Sequence, residues 1–119
     1  MKEFDFEKVP IVEIANTILL DGVKKGASDI HFDPSKESLK IRMRVDGILY
    51  DYSIIPGEYK KNITSRIKMI ASMNIMETRL PQDGAIKSKI GDKELIKLLI
   101  LNYRKYSVRY IIVIIFYIW

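Results

Sequence analysis

Apolar residues recur at three- and four-residue steps over residues 10–25. Ile11, Ile14, Ala15, Ile18, Leu19 and Val23 fall on one stripe, which predicts an amphipathic helix. Pro10 suits the first helical position, Lys24 and Lys25 face the negative end of the dipole, and Gly26 can take the left-handed residue that stops the helix. Residues 29–33 alternate polar and apolar, a short strand closed by Pro34 and the polar turn Ser35-Lys36-Glu37-Ser38. Residues 39–45 alternate, Asp46-Gly47 follows, and residues 48–54 resume the alternation. Asp-Gly between two alternating runs predicts a hairpin with a type I′ turn, because that turn needs two positive φ angles. A two-residue loop then pairs Val45 with Ile48, Met43 with Tyr50, Ile41 with Tyr52 and Leu39 with Ile54, with all eight on one face. Arg42 is expected opposite Asp51 as an exposed cross-strand ion pair.

Pro56-Gly57 breaks the pattern. A second helix is predicted over residues 58–73, with Tyr59, Ile63, Ile67, Ile70 and Ala71 inward and Lys60, Lys61 and Lys68 outward. Residues 74–79 read as a connection, Pro81-Gln82-Asp83-Gly84 as a turn, residues 85–90 as a strand and Gly91-Asp92 as another turn. The order helix, strand, hairpin, helix, strand predicts an α+β fold with an antiparallel sheet and two flanking helices.

The pattern breaks after Glu94. Residues 95–119 hold nineteen residues from Leu, Ile, Val, Phe, Tyr and Trp. Residues 110–119 form one unbroken apolar run, too short to span a bilayer as a helix and carrying the uncharged, proline-free signature of an aggregating strand. Charge changes at the same place. The chain is +5 overall, yet all fifteen acids lie at or before Glu94, where sixteen Lys and Arg balance them. The last 25 residues carry Lys97, Arg104, Lys105 and Arg109 and no acid. The basic balance therefore belongs to the tail. With 119 residues and no cysteine, one domain is expected, and disulfide scaffolds and cysteine-ligated metals are excluded. The N-terminus has no apolar core of a secretory signal.

Little in the chain points to catalysis. Six glycines occur and none precedes a lysine, so no G-x-x-x-x-G-K-[ST] phosphate loop can be built. His31 is the only histidine and shares a strand face with Asp29 and Asp33. One strand converges poorly on one ion, so a hydrogen-bonded structural histidine is preferred to a metal site. No catalytic residue is assigned. Arg42 and Arg44 on the hairpin, and Arg66 and Arg79 around the second helix, are candidates for a domain or subunit interface or for facing phosphate. The plainer reading of each is a solvated face with local ion pairs. A nucleic-acid-binding surface on Arg42 and Arg44 is disfavoured by Asp46 and Asp51 and by the lack of aromatic stacking there.

Five strings occur in order: Pro10-Ile11-Val12 opening a helix, Gly26-Ala27-Ser28-Asp29-Ile30-His31, Arg-x-Arg-x-Asp-Gly ending at Asp46-Gly47, Ser65-Arg66-Ile67-Lys68, and Leu80-Pro81-Gln82-Asp83-Gly84. Together they resemble the type II secretion and type IV pilus assembly ATPase family, in its second N-terminal domain. The resemblance implies a PAS-like module over residues 10–94, preceded by an extension over 1–9 and followed by an aberrant tail over 95–119. It implies partners in a P-loop core domain, neighbouring subunits of a hexameric ring and an inner-membrane platform protein. It also implies a cytoplasmic location peripheral to the inner membrane. ATP and magnesium are the family's cofactors, and none is expected in this chain. Walker A, the Asp box, Walker B and the His box belong to the part of the family that lies beyond these strings. Ala85 stands where the family writes Arg after Pro-Gln-Asp-Gly. The family's following strands, which carry its phosphate-reaching arginines, are not matched by residues 95–119. The last strands of the module are therefore expected to be missing, with a shifted reading frame near Glu94 expected as the cause and a genuine short paralogue with a hydrophobic tail as the alternative. The alternatives are a small basic nucleic-acid-binding module and a peptide held to a membrane by its tail.

Overall fold

The computed structural model describes residues 1–70, 82–90, 93–105 and 108–118, with side chains described for 1–70 and 110–115. The order is α1 (Ile11–Lys24), β1 (Asp29–Pro34), β2 (Ser38–Val45), β3 (Ile48–Pro56), a 3-10 turn (Gly57–Tyr59), α2 (Lys60–Ile70), β4 (Gln82–Ile90), β5 (Lys93–Lys105) and β6 (Val108–Ile118). The strands form one antiparallel sheet ordered β3-β2-β1-β6-β5-β4. The expected α+β class holds.

Helix α1 forms where its stripe predicts. Ile14, Ala15, Ile18, Leu19 and Val23 are buried, Pro10 sits one position earlier than expected as the N-cap, and Gly26 ends the helix at φ 72°. Gly22, which costs about 1 kcal/mol in a helix by propensity, has a packing reason. A Cβ there would stand 2.6 Å from the Ile30 side chain of β1. The core is a layer of Ile14, Ile18, Ile63 and Ile67 from the helices against Ile30, Phe32, Leu39, Ile41 and Met43 from the sheet, none more than 1% exposed. Lys68, expected to point outward, is buried. Residues 1–9 are more than an extension. Phe4, Phe6 and Val9 pack on the core, Phe6 stacks on Tyr59 at 4.2 Å, and the Lys2 amide donates to the Tyr52 carbonyl at 2.7 Å.

The β2–β3 hairpin has its I′ turn, with Asp46 at φ 52° and Gly47 at φ 80°. Val45 faces Ile48 and Met43 faces Tyr50 as expected, but past Arg42 a bulge changes the register. Tyr52 is the extra residue, so Ile41 pairs with Ser53 and Leu39 with Ile55. Tyr52 is held inward by its hydroxyl, which donates to Asp21 Oδ2 on α1 at 2.5 Å. The bulge buries Ile55 and leaves Ile54 at the surface; Ile48 and Tyr50, near the turn, are also exposed. These three are not core residues.

Two further expectations are corrected. Gln82, Asp83 and Gly84 open β4, paired with Asn102, Leu101 and Ile100, rather than forming a turn. Strands also occupy the stretch where the last ones were expected to be missing. β5 and β6 pair along their length, and β6 pairs with β1 through Ile30–Val113 and Phe32–Ile111. Ile111, Val113 and Ile115 are buried in the core. Over residues 110–115 the β-prone pattern read as a liability is paired, with alternate residues buried. The expected connection at 74–79, the end of the second helix and the Gly91-Asp92 turn lie outside the described residues.

Candidate functional site

Alternation along β1 and β2 sends Ile30, Phe32, Leu39, Ile41 and Met43 to the helices. It sends Asp29, His31, Asp33, Lys40, Arg42 and Arg44 to the opposite face. Register sets Asp29 across from Arg44, His31 across from Arg42 and Asp33 across from Lys40. The side chains then choose partners. Asp29 Oδ2 contacts His31 Nε2 and accepts from Arg44 Nε at 3.4 Å, while Asp29 Oδ1 accepts from the Ser28 hydroxyl at 2.6 Å. Arg44 Nη1 also donates to the Gly47 carbonyl at 3.2 Å, tying the cluster to the I′ turn. Arg42 reaches diagonally and donates to Asp33 Oδ2 from Nε at 3.1 Å and from Nη2 at 2.5 Å. Lys40, left by Asp33, pairs with Asp51 at 3.3 Å. The expected Arg42–Asp51 ion pair is replaced by these two, although the residues do stand opposite each other in register.

The two motif strings are therefore parts of one network. Ser28, Asp29 and His31 come from one, and Arg44 and Gly47 from the other, while Arg42 pairs separately with Asp33. Asp29 is its hub. Burial alone would raise its pKa, but the Ser28 hydrogen bond, the His31 ring and the Arg44 charge outweigh that and hold the carboxyl below the usual Asp value. Beside the hub a solvent-open groove of about 500 Å³ is lined by His31, Asp33, Ser35, Lys40, Arg42 and Tyr110. The Ser28 hydroxyl is turned to Asp29, not to His31, so the trio is not arranged as a nucleophile and its base. Among the described residues no group of three His, Cys, Asp or Glu is placed to hold a metal ion. What the arrangement offers is a rigid, mixed-charge surface with two arginines held by carboxylates and partly open to solvent.

The three candidate arginines among the described residues do not converge. Arg42 and Arg44 share the open sheet face, Arg66 lies on α2 with the helices, and Arg79 lies outside the described residues, as does Pro81. Gln82, Asp83 and Gly84 lie in β4 at the far edge of the sheet, three strands from β1. The sequence reading missed Asp33 as the anchor of Arg42, and Lys40 with Asp51. Alternation placed them near one another, but the diagonal choice of partner is a matter of side-chain reach.

Residues 5–100 match the family model described as type II/IV secretion system protein. The chain is 46% identical over 85 residues to the type IV pilus assembly ATPase PilB of Myxococcus xanthus, covering 71% of this chain and 15% of that protein. It is 41% identical over 88 residues to the type II secretion system protein E of Xanthomonas campestris, covering 74% and 16%. It is 38% identical over 87 residues to the type II secretion system ATPase E of Vibrio cholerae, covering 73% and 17%. The chain thus spans less than a fifth of the length of each of these relatives. The motif strings that meet on the open face of the sheet all begin within the matched stretch, and the chain belongs to the type II/IV secretion system protein family.

Proposed function

We propose that this chain is the N-terminal module of a hexameric ATPase that powers type II secretion or type IV pilus assembly, and that it docks rather than catalyses. The open sheet face carrying Asp29, His31, Asp33, Arg42 and Arg44 is its docking surface for a P-loop core domain, of its own subunit or of a neighbour in the ring. The observation that supports this most is the interlocking of the two motif strings through Asp29, which fixes Arg44 against a carboxylate and a turn carbonyl. A positioned arginine on a solvent-open face is suited to meeting an anionic or polar partner without reorganising. The sequence offers no loop to cradle a triphosphate, so nucleotide chemistry is assigned to the core domain, with its ATP and magnesium. No helix among the described residues is long and apolar enough to cross a membrane. A cytoplasmic location, peripheral to the inner membrane through a platform protein, fits this reading.

The test is calorimetry and turnover on the purified chain, alone and with the P-loop portion of the Myxococcus xanthus relative. Alone, the chain is expected to bind ATP no better than millimolar and to release no phosphate. Supplied in trans, it is expected to raise turnover of the P-loop portion, and Arg42→Ala with Arg44→Ala is expected to abolish that rise. Micromolar ATP binding or turnover by the chain alone would overturn the reading.

A further inference from the structure

On the helical side, away from the polar sheet face, α1 and α2 leave a groove of about 360 Å³ between them. Ile11 and Val12 line it from the first turn of α1. Lys61, Ser65, Arg66 and Met69 line it from α2, at spacings that share one helix face. Val12 is 44% and Met69 52% exposed, so the groove presents apolar surface to solvent. Among the described residues its charge is one-sided, since two cations and no carboxylate line it. Glu13 follows Val12 on α1 but is not part of the lining. Arg66 itself is only partly buried and carries one of the two positive charges of the lining. Its Nε is buried and has no hydrogen-bond partner among the described residues.

We propose that this groove docks an acidic amphipathic helix of a partner protein. Apolar side chains at i, i+3, i+4 and i+7 of that helix fill the space between Val12 and Met69. A carboxylate on its flank pairs with the partly exposed Arg66 side chain, and a second faces Lys61. A helix fits better than an extended peptide, because both walls are helices and no sheet edge lies in the groove to template a strand. The groove and the polar sheet face are on opposite sides of the sheet, so either proposal can fail without the other.

The experiment uses the full chain and two fluorescein-labelled, stapled peptides. Both carry leucines at i, i+3, i+4 and i+7; one has glutamates on its flanks and its twin has lysines. Fluorescence anisotropy is expected to show micromolar binding of the glutamate peptide, weakening as salt rises, and at most millimolar binding of the lysine twin. Arg66→Gln is expected to weaken the glutamate peptide roughly fivefold, and Lys61→Glu with Arg66→Glu to reverse the preference between the twins. Met69→Asp, at an exposed position, is expected to abolish binding while leaving the circular-dichroism melt unchanged, which keeps the test valid should the Arg66 variant misfold. Binding of neither peptide, equal binding of both, or a concentration-dependent self-association that competes with the peptide would overturn the proposal, the last by making a second copy the occupant.

Discussion

The β2–β3 and β5–β6 hairpins lie on opposite sides of β1, and their registers are set differently. In β2, buried Leu39, Ile41 and Met43 alternate with Lys40, Arg42 and Arg44. A one-residue slip there would carry three charges into the core, so the pattern itself fixes the pairing. In β6 no charge interrupts the run after Arg109, and a slip exchanges one apolar set for another. The register of β6 is instead set from outside, by Ile30 and Phe32 of β1 standing opposite Val113 and Ile111. An alternating hairpin specifies itself, whereas an apolar one is specified by the strand it docks on.

The largest expected effect tests whether β6 belongs to the same cooperative unit as β2 and β3. Val113 is fully buried, so Val113→Asp places a carboxylate in the core. It is expected to cost about 4 kcal/mol or more, enough to abolish the urea unfolding transition. An unchanged transition would mean that the first hairpin and the helices stand without the second. The next effect falls on the self-specified hairpin. A Cβ on Gly57 would lie 2.7 Å from the Glu37 carbonyl oxygen at the open end of β2–β3, where backbone must move. Gly57→Ala is expected to cost about 1–3 kcal/mol by the same measurement.

A smaller effect separates the two by acidity. The carboxyl of Asp29 sits below its ordinary value in the folded chain, so the stability that its ionised form contributes is present above the unfolded Asp pKa of about 3.9 and fades as pH falls through the folded value. Asp29→Asn is expected to cost about 1–2 kcal/mol at neutral pH and to flatten that part of the acid limb in a pH series of melts. The smallest effect is that of the Lys40–Asp51 pair, whose side chains are 44% and 51% exposed. Lys40→Ala is expected to change stability by less than about 0.5 kcal/mol, within the range of exposed ion pairs.

Much of the N-terminal fold was legible because its signals are local. The stripe of α1, the left-handed Gly26 and the Asp46-Gly47 turn each need only a few neighbouring residues. The bulge at Tyr52 was not, because its cause is Asp21 on another element, 31 positions away. The open face was legible as a polar surface, since alternation puts Asp29, His31, Arg42 and Arg44 together, but not as a network. Pairing Arg42 with Asp33 rather than Asp51 depends on the diagonal reach of a guanidinium. The place of the stretch after Glu94 in the sheet was not legible for the opposite reason. Apolar residues on both alternations assign no inner face by themselves, and the face comes only from β1.

The seat of β6 between β1 and β5 also governs when the protein can exist. During synthesis β1 leaves the ribosome long before its neighbour has been made, and until then it has β2 on one side and an open row of amides and carbonyls on the other. Closing the sheet requires a contact between distant parts of the chain, which makes that step slow and leaves an adhesive intermediate waiting for it. The yield of folded protein in a cell should therefore depend on how long that half-built sheet is shielded from its own copies.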